Sequence, residues 1–128
     1  MKRSLRGLLM LAIAVSAGTH GEPDATTTRS EITALLHALG TSQCEFFRNG
    51  TWYDSEKAED HLKRKLDYFE RKGLLSTSDT FIDDAASRSS MSGKPYEVRC
   101  QGQSAQPSAD WLKRTLKELR KRGIDSAH

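Results

Sequence analysis

Beyond its first 17 residues the chain has no long apolar run, no surplus of either charge sign, and only two cysteines. Each scarcity excludes something. No later stretch approaches the roughly 20 apolar residues that span a bilayer, so no membrane-crossing helix is expected in the main body. The 128-residue chain carries 20 Lys plus Arg against 17 Asp plus Glu, but three of the basic residues (Lys2, Arg3, Arg6) sit in the first 17 positions, which hold no acidic residue. The remainder is balanced. Nucleic-acid binding, which needs a basic surplus to displace counterions, therefore has little support. The cysteines and the histidines His37, His61 and His128 show no ligand spacing, so neither a metal nor a cofactor is expected. No Gly-x-Ser-x-Gly elbow and no phosphate-loop motif occurs.

What is present starts with an export signal. Lys2, Arg3 and Arg6 precede the apolar run Leu8–Val15, and Val15-Ser16-Ala17 supplies small residues for cleavage after Ala17. An uncleaved anchor is the alternative reading. No cysteine lies near the cut, which argues against a lipid anchor. Export implies an oxidising compartment, where Cys44 and Cys100 read as a disulfide rather than two separate buried thiols. Residues 18–29 read as a flexible leader, 30–123 as one globular domain and 124–128 as a frayed tail.

Ser30 is placed to cap a helix carrying Ile32, Leu35, Leu36 and Leu39 and stopping at Gly40. Glu45–Arg48 and Thr51–Tyr53 flank Asn49-Gly50, a strong hairpin signal. Asp54 or Ser55 caps a second helix with Ala58, Leu62, Leu66 and Phe69 on one face. Its acidic start and basic end suit the helix dipole, and its charges read as a solvated face. Thr77 or Ser78 opens a short helix through Phe81, Ile82, Ala85 and Ala86, and Asp79, Asp83 and Asp84 suit its beginning. A polar loop over 87–94 leads to the alternating segment Tyr96–Cys100, a third strand that would bring Cys100 towards Cys44. After a linker-like loop over 101–107, Ser108 caps a last helix with Trp111, Leu112, Leu116 and Leu119 inward, ending at Gly123. The fold class is α+β: about four helices with a small antiparallel sheet, a hairpin near 45–53 plus a strand near 96–100. Trp52 and Trp111 are expected in the core.

The strings Phe47-Arg48-Asn49-Gly50, Ala58-Glu59-Asp60-His61-Leu62 with Lys65-Leu66, and Phe81-Ile82 with Ala86-Ser87-Arg88-Ser89-Ser90-Met91-Ser92-Gly93-Lys94-Pro95-Tyr96 resemble the YfeK-like family of small exported bacterial proteins. The resemblance covers roughly residues 30–122. It implies a periplasmic location in a Gram-negative bacterium and offers no catalytic residues to carry over. The cysteine pairing is read from the residues, not from the resemblance.

The candidate contact surface is Arg48, Asn49, Ser90, Ser92, Gly93, Lys94 and Tyr96, where a tight hairpin and a polar loop would converge. The expected function is non-enzymatic binding or support in the envelope, with an envelope protein or polymer as partner. A second reading is inhibition of a lysozyme-type cell-wall hydrolase, because Ser92-Gly93-Lys94-Pro95-Tyr96 matches the Ser-Gly-x-x-Tyr string of periplasmic lysozyme inhibitors. A third is an enzyme using His61, although a boundary histidine that packs and hydrogen-bonds explains that residue more simply. Two further features have bland and functional readings. Ser90–Lys94 offers backbone N–H groups that could cup an anion. The basic last helix, with Lys113, Arg114, Lys117, Arg120, Lys121 and Arg122, could meet anionic polymers, though a solvated face is the simpler account.

Overall fold

The structure is a computed structural model that describes residues 25–126. The expected signal segment and the first part of the leader lie outside the described residues. The elements run α1 (Ala25–Gly40), β1 (Glu45–Arg48), β2 (Thr51–Tyr53), α2 (Ser55–Arg71), α3 (Ser78–Ala85), β3 (Glu97–Arg99), β4 (Gln106–Pro107) and α4 (Ser108–Ser126). Four helices pack on one antiparallel sheet of order β2-β1-β3-β4, the expected α+β class.

The helices form where an apolar stripe repeats at helical spacing. Ile32, Leu35, Leu36 and Leu39 of α1, Ala58, Leu62 and Leu66 of α2, Phe81, Ile82 and Ala85 of α3, and Leu112 and Leu116 of α4 meet in one core. Phe46 and Val98 complete it from the sheet. Asp54 caps α2 by accepting from Lys57 N at 2.9 Å. At α3, Thr77 and Thr80 exchange bonds in a capping box. Gly40 also lets α1 end against α2, since a Cβ there would lie 1.9 Å from Glu59 Oε1.

Several expectations needed correction. The leader was expected to run to residue 29, but α1 begins at Ala25 and Ser30 lies within it. Long-range contacts hold that first turn: buried Thr28 donates to Ser76 O, and Arg29 pairs with Asp67 and Glu70. Segment 101–107 contains β4, whose two residues pair with β3 too briefly to leave an alternating pattern. Ser108 is the first residue of α4 and donates its hydroxyl to Ala86 O at 2.5 Å, tying α4 to the end of α3. Helix α4 passes Gly123 and continues to Ser126, because glycine lowers helix propensity without forbidding the conformation. Trp52 and Trp111 are half-buried. Trp52 lies on the outer sheet face, covered by the Arg99 guanidinium at 3.9 Å from its ring centroid.

The hairpin forms as expected. Asn49 and Gly50 take φ of 48° and 87°, the paired positive values that suit a two-residue turn between twisted strands. A Cβ at Gly50 would meet nothing within 4 Å, so only the backbone conformation penalises a substitution there. Gly50→Ala is expected to cost about 1 kcal/mol in urea unfolding, with the slope unchanged. A neutral result would mean that the turn relaxes to another type.

Strand β3 pairs with β1 in the register Glu45↔Arg99, Phe46↔Val98 and Phe47↔Glu97. This brings the chain just before β1 beside the chain just after β3, and Cys44 and Cys100 are joined in a disulfide. Among the described residues no helix is long and apolar enough to cross a membrane.

Candidate functional site

Two neighbouring features meet at the turn end of β1. The first is the 87–96 loop. Arg88 and Pro95 form an antiparallel bridge, Ser89 N donates to Lys94 O at 2.9 Å, and Tyr96 N donates to Ser87 O at 2.8 Å. Buried Ser89 organises the tip: its hydroxyl accepts from Met91 N, Ser92 N and Asn49 Nδ2, each at 3.2 Å. Ser92 Oγ donates to Asn49 Oδ1 at 2.7 Å and accepts from Lys94 N at 3.2 Å. The Asn49 amide therefore ties the hairpin turn to the loop through both of its ends.

The expected convergence of Asn49 and Ser92 is thus found, with two corrections. Tyr96 is not a surface residue. It is 1% exposed, and its ring packs 5.0 Å from that of Phe46. The loop is not an anion cup either. Met91 N, Ser92 N, Gly93 N and Lys94 N are all taken by Ser89 or Ser92, so those donors are spent inside the loop. Ser90, Ser92, Gly93 and Lys94 are exposed, and Met91 at the tip is 91% exposed. Ser89, quoted with the loop but not singled out, is the residue that fixes its shape.

The second feature is a cleft between α2 and the hairpin. Arg48 lies two residues after Phe46 and so shares its face of the strand, towards α2. From α2, Lys57, His61 and Arg64 follow at helical spacing on the side next to the apolar stripe. A cavity of about 180 Å³ is lined by Phe46, Arg48, Tyr53, Ala58 and these α2 residues, with Asp60 at its wall. An adjoining cavity of about 420 Å³ is lined by Arg48, His61, Arg64, Lys65, Tyr68, Phe69 and Ser90. The charges of α2 had been read as a solvated face. On this side His61 and Lys65 are half-buried beneath the strand end and the loop, while Lys57 and Arg64 stay exposed.

The phenol of Tyr96 is the hub of the cleft floor. Lys65 Nζ donates to Tyr96 Oη at 3.2 Å, to Ala85 O at 2.7 Å and to Arg88 O at 3.4 Å. The Arg48 charge also acts on the phenol. His61 Nε2 lies 3.1 Å from the same oxygen. Burial and the charges of Arg48, Lys65 and Arg64 push His61 down to about 4, so the ring is neutral at pH 7. Burial and Arg48 bring Lys65 down to about 8. Burial raises the Tyr96 phenol, against the opposing pull of Arg48.

Elsewhere the charges are mostly structural. Arg120 of α4 bonds Glu31 at 2.8 Å and Asp79 at 3.4 Å, and Lys113 pairs with Asp83 at 2.7 Å. Arg114 reaches Gln106. The basic α4 is therefore partly spent on holding α1 and α3. Exposed His37 lies 3.8 Å from Glu59. Among the described residues no group of three or more His, Cys, Asp or Glu is arranged to hold a metal ion.

The pattern of a family of unknown function (DUF5329) matches residues 26–120, from the first turn of α1 into α4. The chain is also 40% identical over 68 residues to an uncharacterized protein, YfeK, of Salmonella typhimurium (strain LT2), a match covering 52% of this chain and 55% of that relative. The matched part thus spans about half the length of the curated relative. No solved structure matches the chain. The match across residues 26–120 takes in the sheet, the loop and the cleft together, and the chain belongs to the family of unknown function DUF5329, a YfeK-like group of bacterial proteins.

Proposed function

We propose that the protein is an exported, periplasmic, non-enzymatic binding protein. Its leader is removed near Ala17, and the Ser90–Lys94 ridge beside the Asn49 turn contacts an envelope protein or polymer. The observation that carries this reading is the Ser92 Oγ to Asn49 Oδ1 bond of 2.7 Å, which clamps an exposed loop to a sheet. A clamped loop loses little conformational entropy on binding, and an exposed methionine at its tip is a contact group rather than a packing group. The disulfide fits an oxidising compartment.

The test is capture from envelope extract by the mature protein beside a Ser92→Ala, Lys94→Ala double variant and a Met91→Asp variant. One partner, identified by mass spectrometry and reduced at least tenfold by both variants, is the expected result. Equal capture by all three proteins, or none, overturns the reading. Circular dichroism should show all three folded, because these side chains are exposed.

Inhibition of a lysozyme-type hydrolase is the second reading, favoured by the exposure of Ser92, Gly93 and Lys94 in one short ridge. Tyr96 would take no part, being in the core. A lysozyme turbidity assay with the same variants separates this from the general binding role. Catalysis by His61 has less support, because its Nε2 is already engaged by the Tyr96 phenol.

A further inference from the structure

Arg48 Nε is buried and has no hydrogen-bond partner. Its surroundings share one charge sign. Arg48, Lys57, Arg64 and Lys65 border the two adjoining cavities, and none of the four forms an ion pair among the described residues. The half-buried arginines elsewhere behave differently: Arg29 and Arg99 each have a carboxylate partner. Asp60 is the single acid among the residues lining the cleft.

We propose that the cleft between the hairpin and α2 is a binding site for a phosphate monoester group, gripped by Arg48 and Arg64 and backed by Lys65.

The division of labour follows from the hydrogen bonds. Lys65 has its three N–H groups on Ala85 O, Arg88 O and Tyr96 Oη, so it supplies charge rather than a direct grip. Arg64 is exposed and has no hydrogen-bond partner among the described residues, and Arg48 lines both cavities. Two guanidinium forks suit the several oxygens of a phosphate, and a dianion offsets two fixed charges where a carboxylate offsets one. Phe46, Tyr53 and Ala58 give the smaller cavity an apolar wall for whatever carries the phosphate. The loop amides take no part, since they are satisfied internally. The site borders the ridge at Ser90 but takes no contact from Ser92 or Lys94.

The test is calorimetric titration of the mature protein in chloride buffer at pH 7 with inorganic phosphate, glycerol 3-phosphate and acetate, alongside Arg48→Gln and Arg64→Gln. Saturable binding of both phosphates, weakened at least tenfold in each variant, with acetate at least tenfold weaker than phosphate, is the expected result. The His61 ring resonances should move on binding, and its titration should shift to higher pH as the anion offsets its cationic neighbours. Sedimentation with vesicles containing phosphatidic acid distinguishes a lipid headgroup from a soluble ester, since vesicle binding without glycerol 3-phosphate binding assigns the lipid source. Absence of saturable binding to phosphates and vesicles alike overturns the site, as does binding that both variants retain or acetate binding equal to that of phosphate. Should Arg48→Gln not fold, exposed Arg64→Gln still decides the matter. The Ser92→Ala, Lys94→Ala double variant should bind phosphate as the parent does, so failure of the ridge and failure of the cleft are distinguishable.

Discussion

Replacing Cys44 and Cys100 together with serine is expected to lower the thermal midpoint by about 10–20 °C. The bridge closes a sequence separation of 56 residues. Chain-entropy arithmetic for a loop of that length gives about 4 kcal/mol, and typical bridges deliver about 2–4 kcal/mol. The domain has reason to depend on it. About 100 residues bury a modest core, and the sheet rests on strands of two to four residues. The bridge fastens the end of β3 to the start of β1, which is the pairing that also carries Arg48 and Asn49 to the cleft and the loop. Thermal unfolding followed by circular dichroism checks this, with the native protein in excess reductant as a second route to the same state. A shift under 3 °C by both routes would mean that strand pairing and core packing suffice. A large shift ties the fold to an oxidising compartment on physical grounds.

The helices and the hairpin were legible because their signals are local. Ile32, Leu35, Leu36 and Leu39 announce a helix without reference to anything else, and Asn49-Gly50 announces its turn. Even the Cys44–Cys100 approach followed from one strand laid beside a hairpin. What was missed depends on distant partners. Ala25–Arg29 become helical because Ser76, Asp67 and Glu70 receive Thr28 and Arg29, and a threonine run does not show this alone. Two-residue β4 exists only because β3 offers it an edge. Ser108 looked like a cap and proved to be a tie to Ala86.

The site divides the same way. Asn49 and Ser92 were legible as turn and loop residues, and their convergence followed from strand topology. The cleft was not. Arg48 was placed in the turn surface, and His61 was weighed by itself. Lys57 and Arg64 carried no reading of their own, and Lys65 stood only among the strings that mark the family resemblance. Their common meaning appears only when the Tyr96 phenol is seen beneath them with His61 and Lys65 on one oxygen, and Arg48 lining the same cleft. A sequence signal did exist: Lys57, His61, Arg64 and Lys65 fall at i, i+4, i+7 and i+8, and Arg48 alternates with Phe46.

That cluster gives the second large effect, a loss of stability in mild acid. His61 is held neutral in the folded protein, down at about 4 against an ordinary 6.5, by burial first and then by Arg48, Lys65 and Arg64. Between those values the unfolded chain binds more protons than the folded one, so stability rises with pH across the window. The contribution is full above pH 6.5 and is lost progressively as the pH falls towards 4. A shift of that size corresponds to about 3 kcal/mol at most. Solvent screening at a half-exposed ring reduces it to about 1–2 kcal/mol, with roughly half of that lost by pH 5. Lys65 has the same sign in a different window: held at about 8 rather than 10.5, it adds stability as the pH climbs from 8 towards 10.5. Urea unfolding of the parent and of His61→Gln, at pH 6.5 and pH 5, isolates the histidine, because Glu31 sits below its usual carboxylate range and titrates at lower pH. The parent should lose about 1 kcal/mol more than the variant over that interval. Equal losses would mean that the folded protein accepts a proton on His61 without penalty, and that the three cations stand further from the ring than the Tyr96 network requires.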